Sequence, residues 1–161
     1  MIRKATPADL AQILTVYQAA RTFMAANGNP TQWGTTYPAV ELLEEDIRLG
    51  RLFVDEMQDQ ICGVFMFALG DDPTYAYIEN GSWLDNSPYG VIHRVASDGT
   101  VRGVLGRCVD FCRAKSSHLR IDTHADNHVM QKLVSAAGFT RCGTIYVEDG
   151  SPRIAYEWIK K

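Results

Sequence analysis

The residues able to do chemistry are few and fall in a handful of places. His93 stands inside a segment of alternating texture, Tyr89 to Ser97. An imidazole, with an ordinary pKa of about 6.5, trades a proton near neutral pH, so His93 is a candidate general base; its other reading is a hydrogen-bonded wall residue. Glu79, which closes the run TYAYIE, is the second candidate base, with a solvated carboxylate at a strand end as its alternative. The phenol of Tyr89 is a candidate acid, as are Tyr146 and the hydroxyl of Ser97. Asp122, His124 and Asp126 alternate as metal ligands can, yet no fourth ligand accompanies them, and one strand would have to run through all three. A polar network where strand passes into helix, with Asp126 or Asn127 as the helix cap, accounts for them without a metal, and none is expected. Finally, Arg102, Gly103, Val104, Leu105, Gly106 and Arg107 form a glycine-bearing loop that opens a helix. The unpaired N–H groups and positive dipole end of such a helix attract an anion, and glycine lets it come close.

These residues need elements to hold them. IRKA reads as a strand, and Thr6-Pro7-Ala8-Asp9 as a helix start, with Pro at the first helical position and an acid at the third. An apolar stripe through Leu10, Ile13, Leu14, Tyr17 and Met24 predicts a helix to about Ala26, stopped by Asn-Gly-Asn-Pro. A second helix is predicted over 38–49, ahead of Gly50, with Trp33 and Tyr37 in the loop between the two. Period-two runs then follow: RLFVDE and QICGVFMFAL around Gln58-Asp59, then TYAYIE, then the His93 segment, an antiparallel meander. Along that segment alternation puts His93 and Val95 on one face and Arg94 on the other. After the glycine loop come a helix with Val104, Cys108, Val109 and Cys112, the strand HLRIDTH, a helix ended by Gly138, and a hairpin turned by Glu148-Asp149-Gly150. The order demands a mixed sheet with helices on its faces, an α+β fold.

Composition narrows the function. The 161 residues are 46% hydrophobic and carry a net charge of −3, which suits one globular domain and argues against nucleic acid or anionic membrane as a partner. No leader-like or membrane-spanning run stands out, so a cytoplasmic location is expected. Cys62, Cys108, Cys112 and Cys142 form no CxxC pair and are expected to be reduced, packed thiols.

The element order, VASDGTVRG before a helix, RIDTHADN at 120–127, and Asn127 followed by Met130, Leu133 and Gly138-Phe139 resemble the GNAT superfamily of N-acetyltransferases across nearly the whole chain. The resemblance implies a mixed, mostly antiparallel sheet of about seven strands with helices on both faces. It implies acetyl-CoA as acyl donor, its pyrophosphate on the amides of Arg102 to Arg107 and its pantetheine arm on Val95, Ala96, Ser97, Asn127 and Met130. Acetyl transfer to a primary amine of a small molecule or peptide is then expected, with His93, Glu79 and Tyr89 as catalytic candidates and Trp33 and Tyr37 near the acceptor. The family's second loop glycine is here Leu105, its last small residue Arg107, and its tyrosine seven positions after the asparagine is Val134. These departures leave open a catalytically silent acyl-CoA-binding domain. Trp83 reads as a loop anchor, and the closing hairpin is a possible homodimer surface.

Overall fold

A computed structural model describes residues 1–161. Seven strands form one sheet: β1 Ile2–Lys4, β2 Leu52–Met57, β3 Gln60–Leu69, β4 Gly90–Ser97, β5 His118–Thr123, β6 Thr140–Tyr146 and β7 Pro152–Ile159. Their order across the sheet is β1-β2-β3-β4-β5-β7-β6. Only β4 and β5 run parallel. Helices α1 Leu10–Ala26 and α2 Val40–Arg48 cover one face, α3 Val104–Arg113 and α4 His128–Ala136 the other. No helix is long and apolar enough to cross a membrane.

Strand alternation builds both cores. Leu52, Val54, Val64 and Met66 face Ile13, Val16, Tyr17 and Leu43 of the first two helices. Phe53, Phe65 and Phe67, one residue out of phase, face Leu105, Cys108, Val109 and Val134 of the other pair. The cysteines are buried and unpaired. Gln58 and Asp59, both at positive φ, make the tight turn between β2 and β3 that their sequence position suggested. Asp9 accepts hydrogen bonds from the backbone and hydroxyl of Thr6, closing a 3₁₀ turn over Pro7–Asp9 before α1 begins.

TYAYIE is not a strand. Pro73–Tyr75 forms a 3₁₀ turn capped by Asp72, whose carboxylate accepts from the Thr74 N–H, and only Glu79 pairs with the sheet through its backbone, as an isolated bridge to Thr144. Proline fixes φ and has no N–H to give a ladder, so the aspartate–proline pair starts a turn where alternation alone suggested a strand. The anchoring reading of Trp83 holds: its indole N–H donates to the Tyr75 carbonyl at 2.9 Å.

Gly63 of β3 lies directly under the start of α3. A Cβ there would sit 2.5 Å from Val104 Cγ1 and 3.4 Å from the Ala96 carbonyl oxygen. Gly63→Ala is therefore expected to lift the N-terminus of α3, cost about 1–3 kcal/mol, and lower the melting temperature by several degrees. A melting curve superimposable on the wild type would refute the close approach.

Candidate active site

The parallel pairing of β4 and β5 lasts three residues, Gly90 to Ile92 against Leu119 to Ile121, and then stops. Beyond it the strands part, and a cleft of about 1270 Å³ opens between them, walled by both loops and by α4. On the other side of β4 the register slips. Val64 faces Ala96 and Met66 faces His93, so Arg94 and Val95 together oppose Phe65. This bulge holds Arg94 at φ +54°, a left-handed backbone. Arg94 is locked there by a buried ion pair with Asp46 at 2.6 Å, while its carbonyl accepts the Tyr17 hydroxyl at 2.7 Å. The extra residue takes alternation out of phase. His93 and Arg94 share the α1/α2 side and Val95 packs toward α3, correcting the simple expectation that His93 and Val95 share a face.

Past the bulge the strand leads to the open N-terminus of α3. Asp98 N–H bonds across to the Cys62 carbonyl, so by alternation the backbone groups of Ser97 point to the open side. Gly103 caps α3 at φ +83°, a conformation glycine adopts without strain. The first bond into the helix runs from Arg107 N–H to the Gly103 carbonyl, leaving the amides of 103–106 ahead of it free for a ligand. Val95, Ala96, Ser97, Arg102, Gly103, Val104, Leu105 and Gly106 all line the cleft. Several do so with backbone only, because the side chains of Ala96, Val104 and Leu105 are buried. Arg107 does not belong with them: its amide is spent inside the helix, and its guanidinium pairs with Asp55 at 2.7 Å and bonds the Arg102 carbonyl. It braces the loop from behind, whereas the exposed Arg102 remains available to an anion.

Opposite the loop, Asn127 is both cleft wall and helix cap. Its side-chain oxygen accepts from Met130 N–H at 3.0 Å, and its amide nitrogen donates to Gln32 at 3.1 Å, tying α4 to the loop after α1. Met130, Trp33 and Tyr37 line the same space, with Trp33 edge-on to Tyr17.

The proton chemistry gathers around His93. Its Nε2 lies 2.6 Å from Asp72 Oδ2, and its Nδ1 lies 3.7 Å from Asp122 Oδ2, which also accepts the Tyr75 hydroxyl at 2.7 Å. Burial pushes the Asp72 carboxyl up, but hydrogen bonds from His93 and Thr74 outweigh it and bring the pKa down to about 2. Burial and the neighbouring Asp122 push the Tyr75 phenol well above its usual range, so it is a fixed donor. The ionised Asp72 accepts from Nε2–H and fixes the ring, so that Nδ1 faces Asp122 at the cleft wall. Neither Asp72 nor Tyr75 was singled out from sequence; the available signal was Asp72-Pro73-Thr74, a helix-cap phrase.

Two catalytic candidates lie elsewhere. Glu79 is held on the exposed rim by the hydroxyls of Tyr77 and Tyr146, away from the cleft. Tyr89 is buried, its ring against the Arg120 guanidinium and its hydroxyl accepting Asp72 N–H at 3.0 Å. It positions Asp72 rather than facing the cleft. With Tyr146 and Tyr89 so engaged, Ser97 is the one of these three hydroxyls that lines the cleft. Val134 is buried in the α3/α4 core. Asp122 and His124 do not form one network: His124 turns instead to accept Asp126 N–H.

No protein-family model and no curated protein matches the chain. Solved structures do. A GNAT-family acetyltransferase from Streptococcus agalactiae 2603 is 29% identical, with TM-score 0.88 over 100% of this chain and 95% of that one. A structure from Staphylococcus aureus Mu50 is 27% identical, with TM-score 0.72 over 100% and 99%. At 19% identity and TM-score 0.59, over 100% and 94%, a Salmonella typhimurium structure solved with its cofactor acetyl-CoA shares the fold. Over its whole length the chain thus has the fold of GNAT-family acetyltransferases and is similar to them in sequence.

Proposed function

We propose that this chain moves an acetyl group from acetyl-CoA to a primary amine, with His93 as the base. The observation that carries the reading is the continuity of one cleft, from the amides of 103–106 along the open edge of β4 to His93 Nδ1. Bound there, acetyl-CoA would supply an activated acetyl carbon, to which the amine nitrogen bonds as the carbon–sulfur bond breaks and the thiolate leaves with its electron pair. The chain's own work is electrostatic and positional. Asp122 draws the substrate ammonium to the cleft wall, His93 Nδ1 takes the proton it must lose, and the ionised Asp72 steadies the imidazolium that results. Ser97 is the cleft hydroxyl nearest in sequence to the cradle and the remaining candidate to protonate sulfur. A domain that only held the acyl donor would need the cradle but not a histidine set between two carboxylates, which favours turnover over silent binding.

The test uses Gly106. A Cβ there meets nothing within 4 Å, so Gly106→Glu should fold while placing a carboxylate at the phosphate cradle. Calorimetric titration is expected to show CoA and acetyl-CoA binding to the wild type, weakened about tenfold or more in Gly106→Glu and little changed in Gly106→Ala. A wild type that ignores both at millimolar concentration would defeat the proposal.

A further inference from the structure

Arg153 of β7 is only 9% exposed, yet no carboxylate lies within ion-pair distance of it. Its hydrogen bond is a single one, Nη1 to the Pro152 carbonyl at 2.8 Å. Every other deeply buried arginine of the chain that approaches this degree of burial is neutralised: Arg94 by Asp46 and Arg120 by Glu157. Its guanidinium reaches the cleft without an ion pair, and a ligand that brings an anion there supplies the missing partner.

The place where that anion would sit is defined by the sheet. Arg153 lines the same cleft as His93 and Asp122. In the β5/β7 pair Asp122 opposes Ala155, which puts Arg153 on the same face, diagonal to Asp122 at a Cα spacing of roughly 7–8 Å. The hairpin carboxylate of Asp149 feels Arg153 at a distance but makes no ion pair with it, turning instead to the N–H and hydroxyl of Ser151. His124, one step beyond the end of β5, feels the same charge: burial first and then Arg153 press its pKa below the usual value, against the pull of Asp126.

Resting on the acetyl-transfer reading, we infer that the acceptor is a free amino acid, its amine at His93 and Asp122 and its carboxylate on Arg153. A guanidinium fork matches a carboxylate or a phosphate, but Asp71, Asp72, Asp122, Glu148 and Asp149 also line the cleft and oppose a dianion more than a monoanion. A polyamine would leave Arg153 uncompensated, and a peptide N-terminus carries no carboxylate next to its amine.

The experiment measures thiol release from acetyl-CoA with the free amino acids, their carboxamides and aminoethyl phosphate as acceptors. For at least one amino acid, kcat/KM should exceed that of its amide by about 10- to 100-fold. Arg153→Met should abolish that preference, keep the CoA dissociation constant, and melt no lower than the wild type, since it removes an unpaired buried charge; a purely structural arginine would lower the melting temperature instead. Amides used as well as acids, a preference surviving Arg153→Met, better use of the phosphate, or CoA-binding protein that acetylates no amino acid would each overturn the inference. Failure of the wild type to bind CoA at all would instead strike the acetyl-transfer reading beneath it.

Discussion

Replacing His93 by alanine is expected to lower kcat for acetyl transfer by about 10²- to 10⁴-fold, the range a positioned acid or base contributes, while the CoA dissociation constant stays within about twofold. The split follows from placement, since the cradle amides belong to the start of α3 and the imidazole to the bulged strand. Asp72→Asn should cost less, about 10- to 100-fold. The amide can still bond Nε2 through its oxygen but no longer steadies a positive ring, and the bond from the backbone N–H at 72 to the Tyr89 hydroxyl survives. Because Asp72 is held at about 2, it is ionised across the neutral range, and its hold on the ring does not change with pH there. A His93→Ala enzyme retaining more than a third of wild-type kcat, or one that loses CoA binding in step with activity, would remove His93 from the chemistry.

His93 was legible because a titratable group inside an apolar alternating run is conspicuous by type alone. Its partners were not, for two physical reasons. Asp72 lies 21 residues away and reaches His93 only because a proline turn, in place of the strand expected at TYAYIE, folds residues 72–75 back over the parting strands. Asp122 was visible as a polar residue in a strand, but its partnership with Tyr75 and His93 depends on strand order, which periodicity does not encode. Bulges hide in the same way: nothing in HRVAS announces that Arg94 takes a left-handed backbone, since what holds it there is Asp46, on a helix 48 residues upstream. The glycine loop was readable as a helix start with open amides because backbone geometry and φ carry it. Arg107, in contrast, was misassigned by proximity, since an arginine beside a phosphate cradle and one bracing it from behind look alike until Asp55 is placed. The unpaired state of Arg153 is a statement about absent neighbours, and only the folded chain can make it.

Glu157→Ala is expected to destabilise the fold by about 3–5 kcal/mol, the usual cost of stranding buried charge, and to lower the melting temperature by about 10 °C. Glu157 is 1% exposed at the far end of β7 from Arg153, and its two oxygens hold four groups. One oxygen takes Arg120 Nε at 3.1 Å and His118 Nε2, and the other takes Leu84 N–H at 2.6 Å and faces the Cys142 thiol at 3.7 Å. Burial and the neighbouring carboxylate push that thiol up to about 12, so it stays a protonated donor. Arg120 in turn lies 4.0 Å from the ring centres of both Trp83 and Tyr89 and donates to the Asp85 carbonyl, while His118 meets Ser87. The whole segment 83–89 is therefore pinned to β5 and β7 through one carboxylate. That segment returns the chain from Asp72 and Tyr75 to β4, and Tyr89 itself touches Asp72, so the network that anchors it also fixes the partners of His93. Glu157→Gln, which keeps the shape and an acceptor, should lose less than half as much stability. At a temperature where Glu157→Ala remains folded, kcat should fall while CoA affinity holds, and amide hydrogen exchange should quicken in residues 83–89 before it does in α3. Uniform exchange across the chain, or a melting temperature within about 2 °C of the wild type, would mean that this carboxylate does not anchor the segment.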